Sequence, residues 1–135
     1  MKKKLIIIML VVLIAAAAGV YFLALKKAPE KEYSAYSPGD YFVTNIKDNT
    51  CLIKTTIVLE LYMYESEMAE TMEYLTKNNH IIRDIIVFTL RSKTEEELRS
   101  QNIDKTLRKE IVQRISEQMD IDYITAVYFN DYVIQ

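Results

Sequence analysis

The chain has 135 residues, 17 basic and 19 acidic, for a formal charge of −2, with one cysteine and one histidine. That length holds one modest domain beside an anchoring segment, and a lone cysteine excludes an internal disulfide. Residues 40–135 carry 11 basic against 17 acidic side chains, a formal charge of −6, which argues against general nucleic-acid binding and the basic face it needs.

The chain opens with Met1 and three lysines, Lys2, Lys3 and Lys4, and then runs through 21 uncharged residues, 5–25. As a helix that run covers about 31 Å, close to the hydrocarbon thickness of a bilayer, and satisfies its own backbone. The rival is a cleaved signal peptide with its small-residue zone at Ala15 to Ala18. The apolar run continues past those alanines to Leu25, so a mature chain starting there would expose it, and a retained transmembrane helix is the reading adopted. Lysines flank both ends, with Lys26, Lys27 and Lys31 on the far side, so the charge rule does not orient the span by itself. Residues 1–4 are too few to fold, and a signal-anchor orientation places the C-terminal part outside the cytoplasm. Residues 26–39, with both prolines and mixed charge, read as a linker ending in a turn at Pro38-Gly39.

The folded part is expected over residues 40–135. Residues 41–46 (YFVTNI) suggest a first strand, and Lys47, Asp48, Asn49 and Thr50 a turn. A long strand follows from Cys51 to about Tyr64. Ile53, Ile57, Leu59, Leu61 and Met63 share one parity, and Lys54, Thr56, Glu60 and Tyr62 the other. Ser66 is the expected N-cap of a helix with Met68, Met72 and Leu75 on one stripe, interrupted by Asn78-Asn79. The next helix holds Ile81, Ile82, Ile85, Ile86, Phe88 and Leu90 and is read as the central core helix, with Ile81, Ile85 and Phe88 inside. Thr94 and Glu97 form a capping box before Leu98. Another helix restarts near Asn102, with Leu107, Ile111, Ile115 and Met119 at every fourth residue. Residues 123–134 close the chain as a strand with a bulge at Asn130-Asp131. Strand, strand, helices, strand predicts an α+β domain with helices on one face of a small, mainly antiparallel sheet.

No set of residues with catalytic chemistry emerges. His80 stands alone at a helix junction, Cys51 reads as a buried small hydrophobe, and Glu95-Glu96-Glu97 suit a helix first turn. The serines lack a nucleophile-elbow context, and Asp120 and Asp122 lack the density of a calcium loop. No catalytic, cofactor or metal residues are assigned. Tyr123, Tyr128, Phe129 and Tyr132 place aromatics on both faces of the last strand, as core and sheet surface or as a protein interface. Arg83 and Asp84 are adjacent on their helix and so do not pair with each other. Arg83, Asp84, Tyr128 and Tyr132 are the candidate interface residues.

The lysines before one span, then YFVTNIKDN, LIKTTIVLEL, HIIRDIIVFTLRSKTEEEL and the ending VYFNDYVIQ make an ordered set. In this the sequence resembles FliL, the flagellar basal-body-associated membrane protein family. The resemblance implies a non-enzymatic inner-membrane protein with a stomatin-like (SPFH) extracytoplasmic domain. It implies association with flagellar stator units of the MotA/MotB type and other basal-body components, assembly as a homo-oligomer or ring, and support of torque, swimming or swarming. On the family's pattern Phe42 and Asn45 fall on the opening strand, and Arg83, Asp84, Leu90, Ser92 and Leu98 on the central helix and turn. Tyr128, Phe129, Asp131, Val133 and Gln135 fall on the closing strand. The short cytoplasmic tail and linker limit how far the domain stands from the membrane. The alternative reading is a membrane-tethered binding or scaffold module of another envelope complex.

Overall fold

An uncharged run of this length can hide its main chain from lipid as one continuous helix. In the computed structural model, which describes residues 1–26, 28–48 and 50–135, α1 spans Lys2–Leu25. Its 24 residues correspond to about 36 Å, and every side chain is exposed. The readings made at Lys27 and Asn49 lie outside the described residues. The chain divides into two units, Met1–Glu30 and Lys31–Gln135.

The second unit begins earlier than the sequence reading placed it. β1 (Lys31–Tyr36) lies within the segment taken as linker. Its outward residues are charged or exposed, which disguises it, but Tyr36 is buried and its hydroxyl donates to the Leu75 carbonyl and Asn79 Oδ1, each at 3.0 Å. β2 (Phe42–Asn45) and the long β3 (Leu52–Tyr64) form the expected hairpin, with Phe42 opposite Thr55. β1 pairs antiparallel with the far end of β3, Tyr36 opposite Leu59, and β4 (Ile124–Ile134) pairs antiparallel along residues 53–61 of β3. Because β4 shares β3 residues with both β1 and β2, those two must lie end to end on the opposite edge. Residues 37–41 bridge them, bulging out beside residues 56–58 of β3.

β3 feeds without a loop into α2 (Glu65–Lys77). Ser66 therefore lies inside the helix, and the N-cap is Tyr64 in extended conformation. The exposed first-turn amides are favoured instead by the charges of Glu65 and Glu67. α3 (Asn79–Arg91) follows after Asn78. α4 (Glu95–Leu98) carries the capping box, with Glu97 N–H donating to Thr94 Oγ1 and Thr94 N–H to Glu97 Oε2. α5 (Ile103–Met119) ends at Asp120 in the left-handed region, φ 54°.

The core lies between the odd-numbered face of β3 and the helices. Ile53, Ile57, Leu59, Leu61 and Met63 are all buried, as are Leu107, Ile111, Ile115 and Met119 of α5. On α3 the buried stripe is Ile82, Ile85, Ile86, Thr89 and Leu90. Phe88, expected inside, is 56% exposed, and Ile81 is only half-buried. At about 100° per residue Phe88 falls on the flank away from that stripe. β4 has two register shifts, which leave Asn130 and Thr125 as extra residues; the first is the bulge expected at Asn130-Asp131.

Candidate interaction surfaces

The four candidate residues separate by what they touch. Arg83 turns inward to the bulge between β1 and β2. Its Nη1 donates to the Pro38 carbonyl at 2.9 Å and its Nη2 to the Tyr41 carbonyl at 3.2 Å, with the guanidinium 4.4 Å from the centre of the Phe42 ring. Asn79 Nδ2 donates to the same Pro38 carbonyl at 3.0 Å. Gly39 sits at φ +142°, and a Cβ there would collide with Arg83 Nη1. Arg83 thus clamps the two segments of the edge strand. Tyr132 is also engaged in the fold: its hydroxyl donates to the Leu98 carbonyl at 3.0 Å, its ring meets Phe129 edge-on, and burial pushes its pKa up to about 12.

Asp84 and Tyr128 face outward. Asp84 has no ion-pair partner among the described residues. It lines a shallow groove of about 410 Å³ between α3 and α5 with Phe88, Arg114 and Glu117. An exposed phenylalanine beside an exposed carboxylate is a recognisable protein-contact pattern, since a partner gains apolar burial and a charge pair together.

Tyr128 lies on the outer face of the sheet, where β3 presents its even-numbered residues. Its hydroxyl donates to Glu60 Oε2 at 3.1 Å, and Thr125 Oγ1 donates to Glu60 Oε1 at 2.9 Å. The hydrogen bond to Glu60 and then that residue's charge raise the Tyr128 pKa. Tyr33, 68% exposed, lies against Tyr62 with ring centres 4.7 Å apart, and Lys31 Nζ sits within 6 Å of the Tyr62 and Tyr64 ring centres. This aromatic face carries rigid apolar area with polar tips, the composition of association surfaces.

Cys51 is half-buried rather than buried, and its thiol donates to Glu95 Oε2 at 3.1 Å. That bond, followed by Arg99, holds the Glu95 carboxyl below its ordinary value. His80 is exposed. Among the described residues no three His, Cys, Asp or Glu side chains converge as a metal site requires. Sequence reasoning missed Phe88 as a surface residue, Tyr33 because its strand was read as linker, and Arg108. For Arg108 a signal existed: Lys105, Arg108 and Lys109 at i, i+3 and i+4 form one basic stripe.

A helix long and apolar enough to cross a membrane, followed by an α+β domain with exposed aromatic and charged side chains, defines the class: an N-terminal apolar helix joined to a small sheet-and-helix domain. Residues 35–135 match the family model described as flagellar basal body-associated protein FliL. The chain belongs to the FliL family. It is also similar to the flagellar protein FliL of Aquifex aeolicus (strain VF5), 28% identical over 112 residues, covering 83% of this chain and 68% of that protein.

Proposed function

We propose that this chain is a non-enzymatic component of the flagellar basal body, held in the inner membrane by an uncleaved α1, with residues 31–135 outside the cytoplasm. It associates with stator units of the MotA/MotB type, assembles as a homo-oligomer or ring, and supports torque, swimming or swarming. The observation that carries this reading is the family match over residues 35–135, directly after an apolar N-terminal helix. The surface groove holding Asp84 and Phe88 and the aromatic face holding Tyr128 supply contact chemistry for such a role. Tethering supports assembly, because copies confined to a membrane plane have a raised effective concentration.

The test is chromosomal replacement by Asp84→Lys, with Arg83→Met as a control for the fold. Swimming, motor co-localisation and membrane level are scored together. Asp84→Lys is expected to accumulate normally in carbonate-washed membranes yet lose motor association, and a phosphatase fused after Gln135 is expected to be active. Release of the chain into the soluble fraction with a new N-terminus near Ala18 would remove the anchor from this reading. Normal motility of a full deletion strain would remove the motor role.

A further inference from the structure

α5 and β4 enclose a groove of about 720 Å³ that the basal-body reading does not use. Its strand wall is formed by the consecutive residues Thr125, Ala126, Val127 and Tyr128. Side chains of a strand alternate between faces, so a groove touching four in a row runs along the strand's edge. Arg108 confirms the geometry. Its guanidinium lies 5.7 Å from the ring centre of Tyr128 and 5.9 Å from that of Phe129. Those neighbours point to opposite faces, so a group near both stands at the edge between them.

That edge is open: among the described residues β4 pairs with β3 alone. The bulges at Thr125 and Asn130 frame a regular run from Ala126 to Phe129. The helix wall presents Lys105, Arg108 and Lys109, none of them in an ion pair among the described residues. Arg108 Nε is buried and has no hydrogen-bond partner among the described residues. A buried guanidinium donor is costly to leave unpaired, and three cations cluster here on a domain with a formal charge of −6 over residues 40–135.

The geometry points to a strand-addition site: an extended, acidic segment of a partner protein pairs with β4 over residues 126–129 while its carboxylates meet Arg108, Lys105 and Lys109. The open edge supplies main-chain hydrogen bonds, and the basic helix stripe supplies selectivity. A second copy of this chain fits less well. Its acidic run Glu65, Glu67, Glu70 and Glu73 lies on helix α2, whose main chain is internally paired and cannot extend a sheet. Its open strand β1 begins with Lys31 and Glu32, which cancel. The inference is independent of which basal-body component supplies the segment.

The probe is a fluorescein-labelled peptide of alternating threonine and glutamate, titrated into the full chain in nanodiscs and read by anisotropy. Saturable binding that weakens with salt is expected, with amide-exchange protection appearing at residues 126–129. A lysine-for-glutamate peptide, and an acidic peptide N-methylated along one edge, are each expected to bind about tenfold or more weakly. Arg108→Met and the double variant Lys105→Gln/Lys109→Gln are expected to lose affinity to a similar degree with unchanged melting temperatures. Equal binding of methylated and parent peptides would reduce the site to charge attraction and overturn strand addition. No saturable binding, unchanged affinity in both variants, or protection of residues 126–129 by self-association in sedimentation runs without peptide would overturn it too.

Discussion

At the scale of single residues, conformation and exposure decide what substitution does. Asp120 holds a left-handed conformation at the end of α5, with its N–H donating to the Ser116 carbonyl. A carboxylate is unfavourable at a helix C-terminus, and a Cβ is unfavourable at positive φ. Asp120→Gly is therefore expected to stabilise the domain by about 0.5–1 kcal/mol in urea unfolding. Ile85 and Phe88 stand one turn apart with opposite fates. Ile85→Ala is expected to cost about 2–5 kcal/mol and Phe88→Ala no more than about 1 kcal/mol. Comparison of their denaturation midpoints checks this, and equal losses would return Phe88 to the core. The sequence could not separate the two, because an exposed phenylalanine and a core phenylalanine share one letter. Only the position of the buried stripe on α3 distinguishes them.

At the scale of elements, the regular ones were legible and the junctions were not. The parity of β3 and the four-residue rhythm of α5 follow from periods of 2 and 3.6, so their buried faces could be read directly. The N-cap at Ser66 failed because β3 continues into α2 with Tyr64 as the turning point, a choice made by where the sheet ends. A junction of another kind ties the turn before α4 to α5. Lys93 Nζ lies 2.6 Å from Glu110 Oε2, and Arg114 Nη2 lies 2.8 Å from Glu110 Oε1. Burial raises the Glu110 pKa, but the bonds from Lys93 and Arg114 outweigh it and leave it lowered from 4.5. With the folded value below the unfolded one, the stabilisation is present above pH 4.5 and is lost as pH falls through the folded value. Thermal unfolding across that range is expected to show a smaller acid-side loss for Glu110→Gln than for the parent chain. Parallel pH profiles would show that the Lys93–Glu110–Arg114 cluster contributes nothing to folding.

At the scale of the whole molecule, the main change from the sequence reading is where the folded unit starts. β1 occupies one edge of β3 ahead of β2, and Tyr36 fixes it to α2 and α3. A chain trimmed to begin at Asp40 loses this strand, its pairing with residues 59–64 of β3 and the buried Tyr36. It is expected to be less stable than one beginning at Lys31 by more than about 3 kcal/mol, measured by urea denaturation of the two. Equal stability would make β1 an appendage. The sequence named Arg83, Asp84, Tyr128 and Tyr132 alike as candidate contact residues, and only the fold shows Asp84 and Tyr128 exposed. Arg83 was not resolved, because its partners are two carbonyls more than 40 residues away along the chain.

The sequence by itself determined what depends on local order: the apolar helix, the buried parity of β3, the stripe of α5, the capping box, the bulge at Asn130 and the family to which these belong. Each is set by neighbours a few residues apart, through helix or strand periodicity or a short-range hydrogen bond. Tertiary structure decided the rest: that a charged, proline-flanked stretch pairs as β1, that Phe88 faces water, that Arg83 is committed to Pro38 and Tyr41, and that Arg108 stands beside the open edge of β4. These depend on which distant segments pack together, and burial and hydrogen-bond partners at such positions are properties of the assembled fold.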